Sequence, residues 1–483
     1  MSGLSRRRFL QLSGTMAAGV AAVAACAPFG LGQSSTPPPT IRRFRSRPDL
    51  SLPAVQVTTP ARSVAPGYVF GSVGTSNQVS GPVILDNTGE PVWFLPVPGK
   101  SLADFRVQEY RGSPVLTWWE GSIVAGHGQG ECVIADQHYQ VIKRLQAGHG
   151  YAADLHEFLI TPRGTAYVTV YNQVQADLSS VSGSRQGLAW EGVVQELDIS
   201  SGAVLFEWHS LPAVSVAESY TPLPKTGAFD YFHINSVDLD TDGNLLVSAR
   251  NTWTVYKVDR TSGAVLWRLG GKKSSFRMGT GTKFEWQHDA RRRTVGSISL
   301  YDDAASPQKG PRSRGLVLAV DEQVRSAALL RQYTNGDILS TSQGNLQLLP
   351  NGNAFIGFGS QPNFSEFDLA GHVMFDAEFL SANRSYRMFR QPWAGQPLDL
   401  PAVAVARGSG SRRTVYVSWN GSTAAARWEV VAGTTPQILA TIASTARNGF
   451  ETAIAVSTSE PHLAVRALDA AGKLLATSAA VAA

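Results

Sequence analysis

The sequence has only two cysteines, Cys26 and Cys132, in 483 residues, so at most one disulfide can form within the chain. Charged residues are also scarce, at 16%, and the lysines and arginines are scattered. The net charge of +5 therefore does not indicate a nucleic-acid-binding surface. Hydrophobic residues make up 43%, which excludes disorder over most of the chain. Glycine and proline are plentiful, as in a protein with many turns.

The pattern of the N-terminal residues predicts an export signal. Arg6-Arg7-Arg8-Phe9-Leu10 resembles the twin-arginine signal that exports folded proteins, and the following Ala-rich run, residues 15–25, is too short to span a membrane as a helix. An ordinary secretory signal is the alternative. Val23-Ala24-Ala25-Cys26 resembles a bacterial lipobox, in which Cys26 would be acylated. Residues 1–26 are thus predicted to be a signal with a lipobox.

Lipidation of Cys26 would leave Cys132 without a partner, so stability would come from packing alone. Residues 27–62 include the Pro/Ser-rich stretch 34–39 and are predicted to be an extended tether. The expected location is extracytoplasmic, anchored to the cell membrane, with the N-terminal lipid as the only membrane contact.

A repeat dominates the middle of the chain. Two or three apolar residues precede an aspartate, a short turn and a further apolar strand, with gaps of 50, 62, 61, 62 and 47 residues between successive aspartates. The aspartates are Asp86, Asp136, Asp198, Asp259, Asp321 and Asp368.

A second hairpin precedes most of these units, as in Asp242-Gly243-Asn244 and Asn351-Gly352-Asn353. Two hairpins make one four-stranded blade, so six units predict an all-β fold with a six-bladed β-propeller over residues 63–395. A pair of β-sandwiches is the main rival, but the near-constant period favours the propeller. The alternating stretches after residue 396 predict a small immunoglobulin- or fibronectin-like β-sandwich over residues 396–483.

Three histidines hold equivalent positions, each just before the innermost strand of a predicted blade. They are His156, His233 and His288. One such histidine would more often be structural, whereas three at equivalent places indicate a shared site near the propeller axis.

Two arginines are placed to join the histidines. Arg250 ends a predicted strand and Arg314 immediately precedes another. A guanidinium binds tetrahedral oxyanions through paired hydrogen bonds, and imidazole can act as nucleophile or general acid near neutral pH. Histidines and arginines without an acidic cluster suit a sulfate or phosphate ester better than a metal, so no metal or cofactor is predicted. Surface solvation is the alternative role for each arginine.

An ordered series of motifs resembles the arylsulfotransferase family of bacteria and fungi. The series covers most of residues 65–390, and no single piece would suffice. It comprises Asp154-Leu155-His156-Glu157-Phe158, Phe232-His233-Ile234-Asn235-Ser236-Val237, Leu266-Trp267-Arg268-Leu269-Gly270-Gly271, Trp286-Gln287-His288-Asp289-Ala290 and Ser313-Arg314-Gly315.

The resemblance implies a six-bladed propeller that moves a sulfuryl group from a phenolic sulfate ester to a phenol through a sulfated histidine, without a nucleotide sulfate donor. It implies that His233, His288 and Arg314 are catalytic. Further candidates for substrate contacts are His156, Asn235, Arg250 and Trp286. The expected partners are small-molecule phenols and aryl sulfates, whereas the oligomeric state is not predicted.

The chain departs from the family at one point. Family members carry a further histidine late in the ring, and that histidine takes the sulfate; here the corresponding place holds Ser342-Gln343-Gly344-Asn345. Either His233 or His288 has become the nucleophile, or the chain is a binding propeller for aromatic, sulfated or glycan ligands. A surface scaffold presented through the C-terminal sandwich is a third, weaker hypothesis.

Overall fold

A computed structural model describes residues 40–483 except 75–79, 295, 305–307, 309 and 381–382. The predicted export signal and Cys26 lie outside the described residues. The fold is nearly all β, with 52% strand and 2% helix, which confirms the predicted class. Within the described ranges, no helix is long and apolar enough to cross a membrane.

Six sheets of four or five strands follow one another along the chain. Sheet 1 begins the series after three short N-terminal strands. The first strands are β1 (Ile41–Arg43), β2 (Ser51–Pro53), β3 (Val55–Thr59), β4 (Tyr68–Val73), β5 (Gly81–Leu85) and β6 (Pro91–Phe94). Sheet 2 contains β7 (Ser101–Tyr110), β8 (Ser113–Val124), β9 (His127–Ala135) and β10 (Val141–Leu145).

Sheets 3 and 4 repeat the same up-and-down order. Sheet 3 contains β11 (Phe158–Ile160), β12 (Thr165–Ala176), β13 (Gly187–Asp198) and β14 (Val204–His209). Sheet 4 contains β15 (Ile234–Leu239), β16 (Leu245–Ala249), β17 (Thr254–Val258) and β18 (Val265–Gly270). Between the two sheets lies one four-residue helix, Ser210–Ala213, and 3-10 turns occur at Ser179–Val181 and Val216–Glu218.

Sheets 5 and 6 each have a fifth, outer strand. Sheet 5 contains β19 (Arg277–Met278), β20 (His288–Thr294), β21 (Ser297–Asp302), β22 (Arg314–Asp321) and β23 (Ser326–Tyr333). Sheet 6 contains β24 (Asn345–Leu348), β25 (Ala354–Gly357), β26 (Asn363–Phe367) and β27 (Val373–Phe379), with β3 paired to β27. Finally β28 (Met388–Gln391) pairs with β4 and completes sheet 1.

Each repeat aspartate lies just after or at the end of the third strand of one sheet. Its carboxylate accepts hydrogen bonds from backbone N–H groups of the next turn, as Asp198 does from Ser201 and Asp259 does from Ser262. The same turn contact is made by Asp86, Asp136, Asp321 and Asp368. The sequence repeat therefore marks one recurring turn, because a short carboxylate can cap the backbone that reverses there.

Six buried hydrophobic clusters each lie between two consecutive sheets. The cluster between sheets 3 and 4, for example, joins Tyr167 and Val194 to Val237 and Val247. The cluster with Phe375 of sheet 6 also contains Val69 and Val83 of sheet 1, so the series of packed sheets returns to its start.

The C-terminal region forms two further antiparallel sheets around a common core. The first contains β29 (Ala402–Arg407), β30 (Arg412–Ser418) and β33 (Glu451–Ser457). The second contains β31 (Arg427–Thr435), β32 (Ile438–Ala446), β34 (His462–Leu468), β35 (Leu474–Thr477) and β36 (Val481–Ala482). Val415 and Ile454 of the first pack in one cluster with Trp428 and Val465 of the second.

The predicted tether is wrong beyond residue 39. Residues 41–53 form the β1–β2 hairpin, and β3 adds an outer strand to sheet 6. The backbone N–H of Ser46 donates to the Glu451 carboxylate at 2.6 Å, which ties this segment to the C-terminal sheets. Apolar side chains such as Leu50 and Leu52 are buried there, so the segment packs rather than extends.

Candidate active site

A cavity of about 690 Å³ opens where the first strands of the six sheets begin. Each sheet contributes a residue from the segment that leads into its first strand or from the start of that strand. These lining residues are Ser101, His156, His233, His288, Gln343 and Tyr386. The structure thus brings the three predicted histidines together at one cavity.

Each of the three histidines is oriented by a carboxylate. Nδ1 lies 2.5 Å from a carboxylate oxygen in all three pairs, which are His156–Asp154, His233–Asp230 and His288–Asp303. A carboxylate that accepts the Nδ1 proton leaves Nε2 of a neutral imidazole as the lone-pair nitrogen. The pairs therefore prepare imidazole rings whose Nε2 atoms can act as bases or nucleophiles.

His233 is the most accessible of the three. Its side chain is 13% exposed, compared with 5% for His156 and 1% for His288. Burial lowers the pKa of His233 to about 4 although Asp230 opposes the shift, so the ring is neutral at pH 7. Its backbone φ of +54° lies in the left-handed region, which residues other than glycine adopt only at an energetic cost. Its Nε2 makes no hydrogen bond within the described residues.

His288 is held more tightly. Its Nε2 accepts a hydrogen bond from the Gln343 backbone N–H at 3.2 Å. Burial, together with Arg250, lowers the pKa of His288 well below its usual value, and burial raises that of Asp303. Gln343 itself has a φ of +71°. The segment around Gln343 therefore lies against His288 and occupies its free nitrogen.

Arg250 is a half-buried cation of the cavity. Its guanidinium stacks over Trp286 at 4.9 Å and donates to Asn251 Oδ1 at 3.0 Å, while its buried Nε has no partner among the described residues. Within the described residues, no carboxylate lies within 4.0 Å of it. Burial lowers the pKa of Arg250 from its usual value, against the attraction of Asp303 and Asp230. A half-buried guanidinium without a carboxylate partner is suited to receive an anion.

Arg314 does not line the cavity, which corrects its expected place beside His233 and His288. Its Nε donates to Asp302 at 3.0 Å, and its other nitrogens donate to the Lys283 carbonyl and to Gln332. Asp302 and Asp303 are neighbours in an extended segment, so their side chains point to opposite sides. Asp303 reaches His288, whereas Asp302 faces away with Arg314.

Asn235 and Trp286 also differ from their expected role as substrate contacts, since neither lines the cavity. Asn235 is fully buried and donates to the Gln287 carbonyl at 2.6 Å, which links sheets 4 and 5. Trp286 is buried beneath the Arg250 guanidinium and packs edge-on against Trp253. Of the four predicted contacts, His156 and Arg250 reach the cavity.

Several residues of the site were not predicted. His127 lies behind the cavity with its Nε2 3.3 Å from the Asp230 carboxylate, and Tyr386 and the exposed Arg384 line the cavity late in the chain. Asp154 and Asp230 precede their histidines by two and three residues. This short Asp-to-His spacing was the signal that could have identified these pairs.

A network of buried charges lies beneath the cavity. Arg387 donates to Asp104 at 2.9 Å and to the Asn235 carbonyl at 2.9 Å. Glu157 accepts from Arg106 at 2.7 Å and from Arg291 at 2.6 Å, and these cations hold the pKa of Glu157 at about 2 against burial. The network connects sheets 1 to 5 through residues at or just before their first strands, and it fixes Tyr386, the neighbour of Arg387.

One group of described residues has the spacing of metal ligands. The ligand atoms of His127, Asp230 and His233 lie within 4.8 Å of one another. Both histidines already hydrogen-bond to Asp230. The contacts within this group thus have a sufficient explanation in hydrogen bonding.

These features have a counterpart in a known family. The family model described as "Arylsulfotransferase (ASST)" matches residues 106–380, more than half of the chain. The protein belongs to the arylsulfotransferase family. Membership supports a transferase that acts on small-molecule aryl substrates. The matched region contains all three cavity histidines and Arg250.

Similarity to individual proteins is weak. No curated protein matches the chain. A Bacteroides caccae protein of unknown function is 14% identical, with a TM-score of 0.41 over 67% of this chain and 98% of that one. Virginiamycin B lyase from Staphylococcus aureus, solved with quinupristin, is 8% identical, with a TM-score of 0.34 over 75% of this chain and 96% of that one. Any reaction assigned to the protein therefore has to be argued from family membership and from the geometry of the cavity.

Proposed function

We propose that the protein transfers a sulfuryl group from a phenolic sulfate ester to a phenol through a histidine, without a nucleotide donor. The observation that carries the proposal is the cavity itself. Three carboxylate-oriented imidazoles and an arginine without an ion pair line the same 690 Å³ space. A sulfate monoester needs a fixed cation for its oxygens and a neutral nucleophile for its sulfur.

His233 is the proposed nucleophile. Its Nε2 lone pair attacks the sulfur, the N–S bond forms, and the bond between sulfur and the phenolic oxygen breaks. The leaving group departs as phenolate with the electron pair of that bond. The accessibility of His233 supports this choice over His288, whose Nε2 accepts the Gln343 N–H. Nδ1 keeps its proton, which Asp230 accepts in a hydrogen bond, and the carboxylate balances the imidazolium charge that develops.

The acceptor reverses these events. A phenol oxygen attacks the sulfur, the N–S bond breaks, and neutral His233 is regenerated with its lone pair. The acceptor's proton passes to His156 Nε2 and from there to solvent water, which protonates the released phenolate. The position of His156 supports this role, since its ring centroid lies 5.1 Å from that of His233. Arg250 holds the sulfuryl oxygens in both steps.

We further propose that sheets 1–6 close into a six-bladed propeller and that residues 396–483 form an immunoglobulin-like sandwich. The six inter-sheet clusters support closure. So do the contacts of β7 with β11, of β12 with β15, and from β15 through β20 and β24 to β28 and back to β7. The two C-terminal sheets around Trp428 support the sandwich.

Export by the twin-arginine route and lipid attachment at Cys26 are also proposed, from the motifs of residues 5–26. Cys26→Ala should convert a membrane-bound protein into a soluble one. Retention of the variant on membranes would contradict the lipid anchor.

The decisive experiment incubates the purified protein with a chromogenic phenyl sulfate and a phenol acceptor. Acceptor-dependent release should disappear in His233→Ala, and the wild type with donor alone should gain the mass of one SO₃ group on the peptide that carries His233. The exposed His372 provides the matched control, since His372→Ala should keep wild-type activity. Modification of His288 instead would contradict the assigned nucleophile.

A non-catalytic binding protein is the second candidate. The engagement of His288 by Gln343 and the absence of the family's late histidine favour it. Binding of the aryl sulfate that depends on Arg250, with no release from mild acid to alkaline pH, would support this candidate and exclude the transferase.

A further inference from the structure

One hairpin tip touches the partners of two catalytic-site histidines. The tip lies between β8 and β9, where Ala125 and Gly126 turn the chain with φ values of +54° and +84°. His127 Nε2 donates to the Asp230 carboxylate at 3.3 Å, and the Gly128 N–H donates to the Asp154 carboxylate at 2.5 Å. Asp230 orients His233 and Asp154 orients His156.

We propose that His127 and Gly128 act as positioning residues that set the orientation of His233 and His156 through the carboxylates of Asp230 and Asp154. The inference rests on the proposed function only for its effect on turnover. The positioning itself is a property of the folded chain and can be measured without any reaction.

The surroundings of the His127 ring direct its Nε2 hydrogen bond to the Asp230 carboxylate. Its ring is 2% exposed and stacks on Tyr171 with centroids 4.0 Å apart, while Trp190 packs at 4.6 Å. Its Nδ1 has no hydrogen-bond partner in the described part of the chain. The hydrogen bond from Nε2 is therefore its one polar contact there, and the aromatic walls keep the ring aimed at the carboxylate.

Gly128 needs its missing side chain. A Cβ at this position would meet the Leu155 backbone nitrogen at 2.5 Å and the Asp154 carboxylate at 3.1 Å. The absence of a side chain lets the backbone N–H come close to Asp154. Since Asp154 also accepts from the His156 backbone N–H at 2.9 Å, the carboxylate is held from two sides.

The electrostatic consequence has a definite sign. Asp230 accepts from both His127 and His233, so loss of the His127 donor leaves more negative charge for His233 to neutralise. Proton binding to His233 then becomes more favourable and its pKa rises. The charged and titratable groups that face His233 are Asp230, His127, His156, Tyr171, Arg250 and His288.

The test compares His127→Leu, which has no donor, with His127→Gln, whose amide can replace Nε2–H. Histidine titrations are followed by ¹³C NMR in buffer with EDTA, and kcat/KM is measured as a function of pH. In His127→Leu, the midpoint of the His233 titration should rise by about one pH unit. The midpoint of the acid limb of kcat/KM should rise by the same amount. His127→Gln should restore both values, and His372→Gln, at the exposed turn, should leave both unchanged. Gly128→Ala should instead change the ¹³C chemical shift of His156 at fixed pH, because its Cβ would displace the Asp154 carboxylate.

An unchanged His233 titration in His127→Leu would overturn the proposal. A uniform loss of rate with no shift of the acid limb would also overturn it, because that pattern is expected of a purely structural residue. If the wild type binds aryl sulfate without turnover, the proposed function fails, and the NMR titrations alone still decide whether the hairpin tip positions the histidines.

Discussion

Replacing Arg250 and Arg314 one at a time tests which of the two arginines binds the sulfate group. Arg250 lines the histidine cavity, whereas the family resemblance implies Arg314. Arg250→Met removes the guanidinium that lines the histidine cavity, and Arg314→Met removes the guanidinium that contacts Asp302. Methionine keeps much of the apolar volume of each side chain. The two variants therefore test charge and hydrogen bonding at two different places.

The structure predicts opposite outcomes for activity and stability. A charge-assisted hydrogen bond contributes about 1.5–3 kcal/mol, so losing Arg250 should lower kcat/KM for the aryl sulfate about 100-fold. Because no described carboxylate pairs with Arg250, its removal should leave stability unchanged or raise it by about 1 kcal/mol. Arg314→Met strands the buried Asp302 and should cost about 2 kcal/mol, since Arg314 is partly exposed.

Steady-state release of a chromogenic phenol gives kcat/KM, and denaturant unfolding gives stability. Activity of Arg314→Met should be compared well below its unfolding midpoint and should match the wild type. Loss of aryl sulfate turnover in Arg314→Met, with retention in Arg250→Met, would refute the assignment of Arg250 as the anion-binding residue.

Three further outcomes are expected. Burial holds the pKa of His233 at about 4, and only the neutral imidazole is nucleophilic. Therefore kcat/KM should stay level as pH falls from 7 and should decline only near pH 4. A decline centred at the ordinary histidine pKa of about 6.5 would contradict the role of His233. Glu157→Gln should destabilise the protein by about 3–5 kcal/mol in denaturant unfolding, since Arg106 and Arg291 lose their buried carboxylate. Tyr139→Phe should cost about 2 kcal/mol, because the Tyr139 hydroxyl donates to the Gly421 carbonyl at 2.7 Å, while turnover measured in parallel should not change.

Much of the fold was predictable because its repeat has a local cause. A carboxylate after the third strand caps the next turn in every sheet, so Asp198 and Asp259 carry the same sequence signal for the same geometry. The convergence of His156, His233 and His288 was predictable for the same reason, since each lies at or immediately before the first strand of its sheet.

The remaining parts of the site depend on orientation and on long-range contacts. Asp302 and Asp303 point to opposite sides, but the motif does not show which of them faces the cavity, so the position of Arg314 could not be predicted from it. His127 comes from a long hairpin that reaches toward sheet 4, and neither its length nor its direction has a local sequence signal. The packing of residues 41–59 depends on partners more than 300 residues away.

The pairing of β3 with β27 and of β4 with β28 has a consequence for synthesis. The early strands leave the ribosome about 300 residues before their partners, a delay of about 15–60 s at ordinary elongation rates. During that time one hydrogen-bonding edge of β3 and one of β4 have no native neighbour, and only β27 and β28 can cover them. A chain that ends before residue 388 would leave the β4 edge of sheet 1 uncovered, and such an edge can pair with another chain.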